Sequence, residues 1–107
     1  MKRIASIQDV SCLGRCSQTV ALPVVSAMGV ECAILPTAVL STHTSFPDFH
    51  CLDLTDQLLP VARHWKAQGV RFDALYTGYL ASDRQVAVVL ELLELLREEG
   101  TLLFVDP

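Results

Sequence analysis

Polar residues able to accept, donate or hold a proton fall into four short clusters along this 107-residue chain. Gln8, Asp9 and Ser11 form the first, Ser41-Thr42-His43-Thr44 the second, Thr77-Gly78-Tyr79 the third and Asp106 the fourth. A carboxylate accepts hydrogen bonds, a hydroxyl does both, and an imidazole can change its charge near neutral pH. Each also has a plainer explanation. Asp9 could cap a loop, and His43, like His50 and His64, could be an exposed surface histidine. Thr44 and Ser45 could satisfy backbone groups in a turn. Tyr79 could be a packing residue with a wet hydroxyl, and Asp106 before Pro107 could open a turn. What sets the clusters apart is where the chain should bring them.

Several chemistries are excluded or lack support. No G-x-x-x-x-G-K-[ST] run occurs, so a P-loop is ruled out, and no G-x-G-x-x-G fingerprint occurs either, with Gly14 nearly alone after the first apolar run. The cysteines, Cys12, Cys16, Cys32 and Cys51, contain no C-x-x-C pair and are expected to be free thiols. A metal site built from Cys12, Cys16 and a histidine has no supporting spacing. A Cys12–His43 nucleophile pair stays open but has nothing local in its favour.

The elements that must position the clusters alternate in type. Arg3 to Gln8 alternates apolar and polar residues and opens a strand. Ser17 to Met28 patterns as a helix, with Ser17 as N-cap, Gly29 just past its end and Pro23 bending it or shifting its start. A second strand lies near Glu31 to Leu35, ahead of Pro36, and the polar run 41–48 is a loop. Thr55 to Gln68 is a helix closed by Gly69, with Pro60 expected to start or kink its regular part. Phe72 to Thr77 is a strand. Ser82-x-x-Gln85 has the form of a capping box and opens a helix over Asp83 to Glu99. Thr101 to Val105 is a last strand. Strands alternating with helices predict an α/β fold with a mostly parallel sheet flanked by helices. In such sheets ligands bind beyond the carboxyl ends of the strands, and all four polar clusters fall there.

Composition narrows the class. Hydrophobic residues make up 51% and charged residues 19%, which is incompatible with intrinsic disorder. The net charge of −4 argues against a broad nucleic-acid surface. No apolar run reaches the roughly 18 residues a membrane helix needs, and Gln8 and Asp9 interrupt the first run too early for a signal peptide. A cytoplasmic location is the expectation, without nucleic-acid or membrane partners. The last strand has no covering helix after it, so a longer protein, of which these residues are the first part, is expected.

The segments I-A-S-I-Q-D, Gly14, A-x-x-P-V-V-S-A-M-G, T-A-V-L-S-T-H-T, Y-T-G-Y-L and V-D-P resemble, in this order, the N-terminal portion of pyridoxal kinases of the ribokinase-like superfamily. The resemblance spans essentially all of residues 1–107. It implies one part of a single ribokinase-like kinase domain whose ATP-binding part lies outside these residues. The implied activity is ATP-dependent phosphorylation of the 5′-hydroxymethyl group of pyridoxal, pyridoxine or pyridoxamine, with ATP as co-substrate, Mg2+, a K+ requirement left open, and a homodimer. Asp9, Ser41, His43, Thr44 and Tyr79 would contact the vitamin, and Asp106 would lie by the nucleotide phosphates and the metal. The family's catalytic base would lie beyond Pro107, so the 107 residues alone are expected not to turn over ATP.

Asp9 departs from the family, which usually has serine there. A carboxylate favours a substrate group that donates, and related hydroxymethylpyrimidine kinases carry an aspartate at about this place. A hydroxymethylpyrimidine kinase is therefore the alternative. A third reading, from another class, is a non-catalytic fragment or flavodoxin-like binding module acting through an exposed edge strand.

Overall fold

The structure, a computed structural model, describes residues 2–13, 27–78, 80 and 82–106. Within them the chain forms β1 (Arg3–Ser11), β2 (Glu31–Leu40), β3 (Cys51–Asp53), α1 (Thr55–Ala67), β4 (Ala74–Thr77), α2 (Asp83–Leu96) and β5 (Leu102–Val105). The helix expected over 17–28 lies outside the described residues except for its last two positions. The strands form one sheet in the order β3-β2-β1-β4-β5. β1 pairs in parallel with β2 and β4, and β4 with β5. Only β3, on β2, is antiparallel. The fold is the mostly parallel α/β arrangement expected from the alternation of elements.

One strand runs further than its sequence suggests, and another has no counterpart in the sequence pattern. β2 does not end at Pro36 but continues to Leu40. Its pairing with β1 shifts between Gln8↔Pro36 and Val10↔Val39, so β2 carries one extra residue just after the proline. Such a bulge is where a strand can accommodate a proline's missing N–H. β3 was not foreseeable, because three residues are too few to show alternation. It forms as the return arm of a hairpin, with Leu40 opposite Cys51. α1 likewise runs unbroken through Pro60, starting five residues before it.

Packing follows the two periodicities of strand and helix. Ala5, Ile7, Leu35 and Leu75, alternate residues of the three central strands, join one buried cluster with Leu58 and Ala62 of α1 and Val89, Leu92, Leu93 and Leu96 of α2. β5 differs. Leu102, Leu103, Phe104 and Val105 are 38–65% exposed, so this apolar strand is only partly covered among the described residues.

A polar tie holds the hairpin to both helices. Asp53 Oδ1 accepts from the Thr55 N–H (2.7 Å) and from the Thr55 hydroxyl, and these bonds hold the Asp53 carboxyl below its ordinary value. Ser82 caps α2 as expected, accepting from the Gln85 N–H at 3.1 Å. The Gln85 amide is buried and donates to the Thr55 hydroxyl (3.2 Å) and to the Thr37 carbonyl in the bulge (3.3 Å). Replacing Gln85 by Ala should therefore cost about 1–3 kcal/mol, because buried acceptors lose their donor. Arg84→Ala, which removes an exposed ion pair with Asp56, should cost at most about 1 kcal/mol. Urea unfolding of the two variants side by side checks the contrast.

Candidate functional site

Ladder register decides which clusters meet. Ile7 of β1, Thr77 of β4 and Val105 of β5 lie side by side. The ladder continues one residue further, since Gly78 N–H donates to Ile7 O (3.1 Å) and Asp106 N–H to Thr77 O (2.9 Å). Gln8, Gly78 and Asp106 thus form the next row, and Ser6, Tyr76 and Phe104 form the row below it on the same face. The strand order reverses at β1, with β2 on one side and β4 on the other, so the crevice that open parallel sheets use for ligands falls between the carboxyl ends of β1 and β4.

The edge is stepped. β4 and β5 stop at the level of Ile7, while β1 and β2 continue together to Ser11 and Leu40. Four further residues of strand make a wall of about 13 Å above the ends of β4 and β5. The β2–β3 hairpin extends that wall. Ser41 closes its base, donating its N–H to His50 O and accepting the His50 N–H on Oγ, both at 2.8 Å. His43 is fixed within the loop. Its Nδ1 accepts the Ser45 N–H at 3.3 Å, which places the proton of the neutral ring on Nε2 as a free donor, and its ring meets Phe46 edge-on with centroids 4.8 Å apart. Thr44 is exposed beside it.

Gly78 forms the floor, and here glycine is required by space. A Cβ on Gly78 would come within 2.8 Å of Gln8 Oε1 and 3.1 Å of Gln8 Cβ. Gln8 is buried and donates from Nε2 to Ser6 Oγ at 2.9 Å, so it is held over the glycine. The Ser11 hydroxyl, higher on the wall, is buried without a hydrogen-bond partner among the described residues. At the far side of the floor, Tyr76 donates its hydroxyl to Asp106 Oδ2 at 2.8 Å, and that bond, more than burial, pushes the Tyr76 phenol above its ordinary value of 10.0.

The expected site residues are thus distributed along one edge rather than gathered in one pocket. Asp9 lies inside β1, not in a loop after it, half-buried at the register shift. Ser41, His43 and Thr44 stand on the hairpin. Asp106 lies three strand spacings from β2, about 14 Å across the sheet. Tyr79 and Cys16 fall outside the described residues. No group of three metal-ligating side chains occurs among the described residues. Sequence reasoning passed over Tyr76, the reach of Gln85 to Thr55 and Thr37, and the Gln8–Gly78 contact, none of which leaves a local signal. No helix among the described residues is long and apolar enough to cross a membrane.

Comparison with known proteins gives solved structures alone. No protein-family model and no curated protein matches the chain. A Bacteroides thetaiotaomicron protein named "putative phosphomethylpyrimidine kinase" is 46% identical, with a TM-score of 0.94 in a form crystallised with pyridoxal. That match covers 99% of this chain and 37% of the other. Pyridoxal kinase from Lactobacillus plantarum is 35% identical, with a TM-score of 0.87 over 100% of this chain and 38% of its own. Pyridoxal kinase from Leishmania donovani in complex with ADP and pyridoxamine shares the fold (TM-score 0.83, 22% identity, 100% and 40% coverage). The chain spans about two fifths of the length of these structures, and its likeness to pyridoxal kinases of ribokinase-like fold extends from end to end.

Gly78→Ala should cost about 1–3 kcal/mol through overpacking against Gln8. Gln8→Ala in the same chain should recover part of that loss, and thermal unfolding of the single and double variants measures the coupling.

Proposed function

We propose that this chain, similar along its whole length to pyridoxal kinases of ribokinase-like fold, supplies the vitamin-binding part of an ATP-dependent kinase. The reaction is transfer of the ATP γ-phosphoryl group to the 5′-hydroxymethyl oxygen of pyridoxal, pyridoxine or pyridoxamine. The observation that carries this reading is the 46%-identical neighbour crystallised with pyridoxal, taken with a stepped edge that offers a wall for a flat ring and a floor leading to a carboxylate.

In this reading the vitamin ring lies against the wall. Asp9 and the hydroxyls of Ser41 and Thr44 meet its polar substituents, the Nε2–H of His43 donates to a ring oxygen, and Tyr79 is the further vitamin contact that the resemblance implies. The hydroxymethyl group then points along the floor past Gly78 towards Asp106. Catalysis of phosphoryl transfer is mostly positioning and charge neutralisation, and these residues do the positioning. Asp106 would supply one carboxylate to hold a Mg2+ ion, whose charge would offset that of the phosphates. The base that takes the hydroxyl proton, and most of the ATP site, lie outside these 107 residues. We assign the whole protein to the cytoplasm as a homodimer, which would bury sheet edges.

Asp9 supports a second reading, a hydroxymethylpyrimidine kinase, because an aminopyrimidine donates where this carboxylate accepts. Asp9→Ser discriminates between the two. Assayed in the longer polypeptide with ATP, Mg2+ and competing pyridoxal and hydroxymethylpyrimidine, with products weighed by mass spectrometry, it should keep or raise pyridoxal phosphorylation. A selective loss of pyrimidine phosphorylation from a protein that used pyrimidine before the change would establish the second reading. The 107 residues alone should form no product.

A further inference from the structure

We infer that Tyr76 is a positioning residue that fixes the Asp106 carboxylate for a phosphate-bound divalent cation; the inference rests on the kinase reading above. Asp106 follows β5, an edge strand whose apolar residues are 38–65% exposed. An aspartate in such a place has little to hold it. Two bonds from β4 do so. Its backbone N–H donates to Thr77 O at 2.9 Å, and its Oδ2 accepts the Tyr76 hydroxyl at 2.8 Å. Backbone and side chain are thus both referred to the strand beneath the floor.

The register explains why tyrosine suits this task. Tyr76 lies opposite Phe104, two residues before Asp106 on the same face. The rise is about 6.6 Å, which a phenol ring bridges and a serine or threonine hydroxyl does not. The charge argument points the same way. A lysine or arginine partner would fix the carboxylate equally well but would repel a cation and compete for the same oxygens. A phenol donates one hydrogen bond and carries no charge at neutral pH. It leaves Oδ1 and the full negative charge for the cation. Second-sphere donors of this kind orient metal-binding carboxylates, and their loss typically weakens metal affinity by about 10–100-fold. A plain edge staple between β4 and β5 would show the same bond but would have no effect on metal binding.

The test uses the longer polypeptide with ATP present and Mn2+ as the probe, its binding followed by electron paramagnetic resonance. Tyr76→Phe should weaken Mn2+ affinity by about tenfold and raise the Mg2+ concentration needed for half-maximal rate, while the KM for vitamin stays unchanged. Asp106→Asn should weaken Mn2+ binding at least as much. If Asp106→Asn weakens it and Tyr76→Phe does not, the inference fails and the kinase reading stands. If neither does, the inference fails together with the assignment of Asp106 to the cation. A second measurement needs no folded Tyr76 variant. In isotope-labelled protein, the Tyr76 ring resonance should shift when Mg2+ and ATP are added to the unmodified protein. A Tyr76 resonance indifferent to Mg2+ and ATP overturns the inference.

Discussion

Parallel pairing of β1 on both of its edges is the constraint from which the rest of the molecule follows. β1 bonds to β2 on one side and β4 on the other, so its register sets the level of every neighbouring residue. That register puts Ala5 and Ile7 against the helices and leaves Ser6 and Gln8 on the opposite face. It also brings Gln8, Gly78 and Asp106 into one row. A slip of one residue would exchange the two faces of the strand and bury Gln8 among leucines. The hydrophobic cluster and the candidate site are therefore two consequences of the same alignment.

Unequal strand length turns that alignment into a shape. β1 and β2 outrun β4 and β5, and the bulge after Pro36 lets β2 do so despite the missing donor. The polar tie through Asp53, Thr55, Gln85 and Thr37 joins the hairpin to both helix starts and so supports the raised part of the edge. The result is a wall that carries hydroxyls and an imidazole, and a floor that ends in a carboxylate.

Much of this was legible in the residues. Alternation over Arg3–Gln8, the apolar run of Leu102–Val105 and the Ser82 cap located strands and a helix, and their order implied the parallel sheet and the edge where Ser41, His43, Thr44 and Asp106 stand. Sequence pattern was silent where the cause is pairing between distant segments. Nothing local says that β2 should cross Pro36, that Cys51–Asp53 should return along Leu40, or that the Gln85 amide should reach the Thr37 carbonyl. Tyr76 passed as one more strand aromatic because its partner lies 30 residues away. The likeness to pyridoxal kinases was carried by short motifs in order, and the comparisons extend it to the whole fold. They leave the choice of acceptor to the chemistry at Asp9.

The central claim is that ligand binds at the carboxyl edge of the sheet, between the β1–β2 wall and the Gly78 floor. Amide chemical-shift mapping of the isotope-labelled protein with pyridoxine tests it most directly, since pyridoxine has no aldehyde to react with lysines. The account predicts shifts at Gln8, Asp9, Ser41 to Thr44 and Gly78, with Arg3, Arg71 and Gly100 at the opposite edge unmoved. Shifts confined to the polar cleft that Arg3, Arg71, Asp73 and Glu98 line at that opposite edge would contradict it.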